Sequence, residues 1–204
     1  MEMPRANTKL HLLLLATGLA VLIWSGIRPK DYPTWILEAA PAIVGGIVLL
    51  ATYRRLRLTD LAYVLIWIHA IILMVGGHWT YAENPLFEWI SQWLGLGRNH
   101  YDRLGHLAQG FVPAIVTREV LLRTSPLRRG KWLSFVVVCI CLAISAFYEL
   151  IEWWVALLAQ EASAAFLGTQ GDVWDAQWDM FLCLCGAVAS LLTLRRLHDR
   201  QLRE

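Results

Sequence analysis

A chain of 204 residues with 57% hydrophobic content and a mean hydropathy of +0.49 is too apolar for a water-soluble domain. It reads as a single integral membrane domain, residues 1–204, all-α and polytopic. The net charge of +2 carries no nucleic-acid signal, because the basic residues sit in short clusters between apolar runs, where they set orientation in a bilayer.

A helix needs about 20 mostly apolar residues to cross about 30 Å of hydrocarbon, and six runs meet that length. The first, residues 10–27, follows Lys9 as a signal peptide would. Trp24-Ser25-Gly26-Ile27 is a poor cleavage site, however, and five runs follow, so the segment is read as a retained span. Pro29 closes it and Asp31-Tyr-Pro-Thr makes a short turn. The second run, 36–53, contains Pro41, Gly45 and Gly46, where a kink or close helix packing is expected. The third, 61–78, carries His69 in mid-span, read as hydrogen-bonded to a neighbouring helix, and ends on His78. Asn84-Pro85 opens the longest connection, in which Leu86, Trp89, Ile90, Trp93 and Leu94 recur at helical spacing. That pattern predicts a short amphipathic helix lying in the headgroup layer.

The fourth run, 104–122, ends near Arg118, Glu119 and Arg123, read as snorkelling interface residues. The loop Arg123-Thr-Ser-Pro-Leu-Arg-Arg-Gly-Lys131 fixes topology and offers contacts to anionic lipid. The fifth run, 132–156, is followed by a second long connection, 160–174, and the sixth, 177–194, by Arg195, Arg196, Arg200 and Arg203. Cys139, Cys141, Cys183 and Cys185 lie within the last two spans two residues apart, facing different directions, and are read as small apolar side chains.

The charges sort by side. Basic clusters fall on alternate connections, with 14 of the 18 Lys and Arg on one side, which predicts that both termini are cytoplasmic. The other side holds 11 of the 16 Asp and Glu, with Arg28, Lys30, Arg98 and Arg103 its sole cations. Trp24, Trp35, Trp79, Trp89, Trp93, Trp153, Trp154, Trp174 and Trp178 also map to that outer interface, as anchors or as walls of an amphiphilic pocket.

Three outer segments bring polar side chains to similar depth. Asp102, His106 and Gln109 share one face of span four; Glu149 and Glu152 lie one turn apart in span five; Asp172, Asp175 and Asp179 recur where span six opens, and His78 is at the same level. Carboxylates within a membrane seldom face lipid, so these faces are expected to converge. Like charges in a low-dielectric site do not all remain ionised: either some carry protons or a cation is bound. His106, Asp172, Asp175 and Asp179 are the candidate metal ligands, with Zn²⁺ or Mn²⁺ favoured over Mg²⁺ or Ca²⁺; Glu149, Glu152 and Asp102 are the candidate catalytic groups, Asp102 by orienting His106. Bland roles stand beside these. Asp172 after Gly171 suits a helix cap, Asp102 suits a cap that pairs with Arg103 or His106, and Glu149 and Glu152 suit helix-to-helix ties.

At Tyr101-Asp-Arg-Leu-Gly-His-Leu-Ala-Gln-Gly-Phe-Val-Pro113, Phe147-Tyr-Glu-Leu-Ile-Glu-Trp-Trp154 and Leu167-Gly-Thr-Gln-Gly-Asp-Val-Trp-Asp-Ala-Gln-Trp-Asp-Met180 the chain resembles the YjdF-type family of bacterial inner-membrane proteins, a domain of unknown function. The resemblance spans nearly the whole chain and implies a multi-pass inner-membrane protein without an assigned activity. A fainter similarity joins Asp102/His106, Glu149 or Glu152, and Asp175/Asp179 with Gly186 to the VanZ-like group, which implies a link to envelope metabolism; Asp179 stands where that group often has Asn. The leading expectation is metal-assisted hydrolysis or transfer on a lipid or lipid-linked envelope substrate. A proton- or cation-coupled transporter and a structural or regulatory membrane protein are the alternatives.

Overall fold

The computed structural model describes residues 7–159 and 170–203. Its elements are α1 (Thr8–Gly26), α2 (Tyr32–Thr52), α3 (Asp60–Trp79), a 3₁₀ turn (Tyr81–Glu83), α4 (Pro85–Leu94), α5 (Tyr101–Thr124), α6 (Lys131–Ala159), α7 (Asp175–Thr193) and α8 (Arg195–Gln201). The described residues contain no strand. Residues 160–169 of the second long connection, and Leu167 to Thr169 of the third motif, lie outside the described residues.

Among the described residues, α1, α2, α3, α6 and α7 are long and apolar enough to cross a membrane. The remaining expected span, α5, has 24 residues, about 36 Å of helix. Asp102, Arg103, Arg118, Glu119 and Arg123 remove it from the purely apolar class. It tolerates them because it is the central helix, packed against α3, α6 and α7. One apolar cluster (Ala114, Leu133, Val137, Cys141, Cys183, Ala187, Leu191) fills the space between α5, α6 and α7. A second (Leu58, Ala62, Leu65, Val112, Ile115) joins α5 to α3. Cys141 and Cys183 thus serve as small core side chains, and all four thiols are free.

The closest helix contact is α5 on α7. A Cβ at Gly110 would lie 1.8 Å from the carbonyl oxygen of Cys183, and one at Gly186 would lie 2.1 Å from that of Leu107. Two backbones meet there because neither helix has a side chain in the way, the usual device where no hydrophobic effect drives association. Gly45 and Gly46 of α2 differ: nothing lies within 4 Å of a Cβ at either, so the close packing expected of them is absent.

Helix starts follow local chemistry. Asp31 caps α2, its carboxylate accepting from the Thr34 N–H at 2.8 Å, so the expected Asp31-Tyr-Pro-Thr turn is the first turn of the helix. Asn84 caps α4 in the same way, and Gly95 ends it in the left-handed region at φ 66°. Leu86, Trp89, Trp93 and Leu94 all stand exposed on α4, with Trp93 at 74%, while Ser91 faces inward. That is the amphipathic profile of an interfacial helix.

The snorkelling reading of Arg118, Glu119 and Arg123 is corrected. Arg118 and Glu119 are fully buried, and α8 folds back over them. His198 Nε2 sits 3.0 Å from Glu119, Arg118 donates to Asp199 at 2.6 Å, and the Thr59 hydroxyl and N–H donate to Glu119 at 2.7 and 2.9 Å. Arg123 also pairs with Glu119. The charges neutralise one another inside the protein instead of reaching for water.

Candidate functional site

The acid-rich end of α5 is positioned by the Gly110–Gly186 contact, which fixes α5 and α7 in register. His106 and Asp102, one turn apart on α5, therefore face Asp179 of α7. His106 Nε2 is 3.4 Å from Asp102 Oδ1 and 3.9 Å from Asp179 Oδ2. On its other side Nδ1 is 2.9 Å from Gln109 Oε1 and 3.8 Å from Glu149 Oε1 of α6. All are secluded: the side chains of His106, Asp102 and Asp179 are 6%, 8% and 3% exposed. Buried Asp179 Oδ1 and Glu149 Oε1 have no hydrogen-bond partner.

Two three-residue groupings result among the described residues, Asp102/His106/Asp179 and His106/Glu149/Glu152, with the ligand atoms in each within 4.8 Å of one another. His106 belongs to both. In the tautomer with Nδ1–H donating to Gln109 Oε1, Nε2 would offer its lone pair to a cation shared with Asp102 and Asp179. Two ligands each about 2.1 Å from a tetrahedral ion are about 3.4 Å apart, so the His106–Asp102 separation already suits one.

Asp172 and Asp175, expected among the metal ligands, lie with cations. Arg98 donates to Asp175 at 2.7 Å and to Asp172 at 3.3 Å, and its other terminal nitrogen is 3.9 Å from Asp102. Arg103 reaches Asp172 at 3.1 Å. Neither aspartate belongs to the two groupings. Nor does either cap α7: its N-cap is Trp174, and Asp172 instead accepts from the Trp174 N–H at 3.0 Å in a local turn. Likewise the N-cap of α5 is His100, with Asp102 inside the first turn. The loop that carries Arg98 is held by Gln170, which accepts from the Asn99 N–H and donates to its carbonyl, both at 2.9 Å. His100 in that loop titrates below the ordinary value of 6.5, first because it is partly desolvated and then because Arg103 and Arg98 disfavour its cation.

His78 stands apart from the cluster. Its Nδ1–H donates to the Ser25 carbonyl at 3.0 Å and its ring stacks on Trp24 at 4.5 Å. The mid-span His69 lacks the expected helix-to-helix bond through Nε2, which is buried without a partner. It borders a cavity of about 200 Å³ that also touches His106 and Glu38.

Sequence reading missed Glu38 and the central place of Arg98. Glu38 is 2% exposed on α2, and its Oε2 accepts from the Tyr148 hydroxyl at 3.4 Å. The available signal was a carboxylate inside an otherwise apolar span, a feature that marks function by default. For Arg98 the local signal was Asp102 alone, four residues on, because Asp172 and Asp175 reach it only after folding.

Residues 10–200 match the family described as "Predicted membrane protein (DUF2238)", and the chain belongs to that family. It is 54% identical over 183 residues to the "Inner membrane protein YjdF" of Escherichia coli (strain K12), covering 90% of this chain and 88% of the relative. No solved structure matches.

Proposed function

We propose that this multi-pass membrane protein lies in the inner membrane, with its acid-rich end toward the periplasm, and that it binds a divalent metal there to act on a lipid or lipid-linked envelope substrate. The observation that carries the reading is the placement of His106 between two carboxylate pairs, from α5, α6 and α7. Two ionised carboxylates about 4 Å apart repel by roughly 4 kcal/mol at an effective dielectric of about 20. Four such groups around one histidine call for protons or a cation, and a divalent ion offsets two charges at once.

Asp102 and Asp179, facing Nε2, take the ligand positions with His106. Asp172 and Asp175 form with Arg98 and Arg103 a neutralised rim. A divalent ion bound there supplies Lewis acidity and lowers the pKa of water. Glu149 and Glu152, on the Nδ1 side, hold or accept the proton. The exposed tryptophans of α4, Trp89 and Trp93, suit an enzyme working at the headgroup layer.

The transport alternative requires polar groups continuing to the other face. Between His106 and the Glu119–His198 network, α5 buries Val112, Ala114 and Ile115 against α3 and α7, an apolar layer that favours a one-sided site. The test is elemental analysis of detergent-purified, chelator-free protein by mass spectrometry. Near-stoichiometric metal in wild type, lost in folded His106→Ala and reduced in Glu152→Gln, is the expected result. Wild-type protein without metal overturns the reading.

A further inference from the structure

Helix α2 packs on α3, while α6 packs on α5 and α7. Between α2 and α6 runs the cavity of about 200 Å³ that ends on His106. Its walls are Pro41, Leu73, Pro113 and Ile144, and at its mouth Pro41 and Ile144 are exposed, Ile144 by 46%. These residues lie well inside the spans, so the medium at the mouth is hydrocarbon. The floor is different in kind: it carries Glu38, His69 with its unpartnered Nε2, His106, Gln109 and the hydroxyls of Tyr81 and Tyr148.

From this we infer that the α2–α6 cleft seats the hydrocarbon chain of a bilayer lipid, and that the lipid's polar end, one that donates hydrogen bonds as a hydroxyl does, lies against Glu38 and His106. The inference deepens the reading of His106 as the reactive centre and rests on it for the role of the bound lipid. Three features converge. Apolar walls open to lipid are filled by an acyl chain at no desolvation cost. A floor that combines the Glu38 carboxylate with the Tyr81 and Tyr148 hydroxyls complements a hydroxyl head, which both donates and accepts, while the carboxylate repels a bare phosphate. And Pro41 of α2 is exposed at the mouth, so the cleft is open to the bilayer on that side. Glu38, which neither metal grouping includes, gains a function as the group that orients the head.

The experiment uses the full chain in phosphatidylcholine liposomes doped with a diacylglycerol whose acyl chain ends in a diazirine. After irradiation, peptide mass spectrometry is expected to find label on Leu73 and Pro113. Ile144→Trp, which fills the mouth, should lower that label at least fivefold, while Val44→Trp, outside the cleft, leaves it intact. Label on Leu12 and Ile23 of α1, exposed to lipid by 60% and 67%, serves as the internal standard and should stay constant. Absence of label at Leu73 and Pro113, or label indifferent to Ile144→Trp, overturns the cleft assignment. Equal labelling by the corresponding phosphatidic acid, or a diacylglycerol preference unchanged in Glu38→Gln, overturns the head assignment. Metal content measured on the same samples separates the two proposals: metal without cleft label sinks this one alone, and cleft label without metal sinks the metal centre alone.

Discussion

The Gly110–Gly186 contact offers a direct test of how the site is held. In Gly110→Ala the new methyl would start 1.8 Å from the Cys183 oxygen and 2.6 Å from its carbon, and real Cβ contacts essentially never fall under 3.0 Å. The obstructing atoms are backbone, so relief needs α5 and α7 to part by at least about 1.2 Å at that level, the gap between those two distances. Asp179 lies one turn from Cys183, and His106 one turn from Gly110. Nearly the whole displacement therefore reaches the His106–Asp179 pair, taking a 3.9 Å separation to about 5 Å. Metal sites tolerate about 0.2 Å. Overpacking of this sort costs about 1–3 kcal/mol, so the protein still folds at moderate temperature. The expected outcome is a lowered unfolding temperature by differential scanning fluorimetry, together with loss of bound metal in the folded fraction. Gly46→Ala is the control: it meets nothing within 4 Å and should leave both readings unchanged or raise stability slightly. Wild-type metal content and stability in Gly110→Ala would refute the argument that this contact sets the site's geometry.

Glu119→Ala leaves Arg123 and His198 buried without their shared anion, while Arg118 keeps Asp199, a change expected to cost about 3–5 kcal/mol, read as a large fall in unfolding temperature; metal per folded molecule should stay at the wild-type value, since the two clusters are separate. Arg98→Ala should weaken the fold by removing the ion-pair partner of Asp175 and one of the two partners of Asp102 and of Asp172, and Arg98→Lys should rescue it only in part, because an ammonium cannot span three carboxylates as a planar fork does; thermal melts of the two variants side by side decide this. For His100 the folded value lies below 6.5, so the unfolded chain binds more protons there as acidity rises. Its contribution is neutral above that value and turns unfavourable as pH falls through it, so His100→Gln should flatten the decline of melting temperature between pH 7 and pH 5. An unchanged slope would contradict that assignment.

The legible part of this protein was its segmentation. Hydrocarbon thickness fixes how long an apolar run must be, so α1, α2, α3, α6 and α7 are written in hydropathy, and the amphipathic α4 in the spacing of Leu86, Trp89 and Trp93. α5 was legible as a helix, but its charges keep it out of the set that length and hydropathy mark as able to span. The convergence of Asp102, His106, Glu149 and Asp179 followed from one rule, that carboxylates in a membrane turn away from lipid. What that rule does not contain is partner choice. Arg98 pairs with Asp172 and Asp175, and His198 meets Arg118 and Glu119 inside the protein instead of at the water interface. His69 and Glu38 were left on a cleft. Each outcome depends on distances between residues about 30 to 110 positions apart. Burial can be read along a single helix, but electrostatic pairing falls off over a few ångströms and is decided by which backbones touch, here through two glycines.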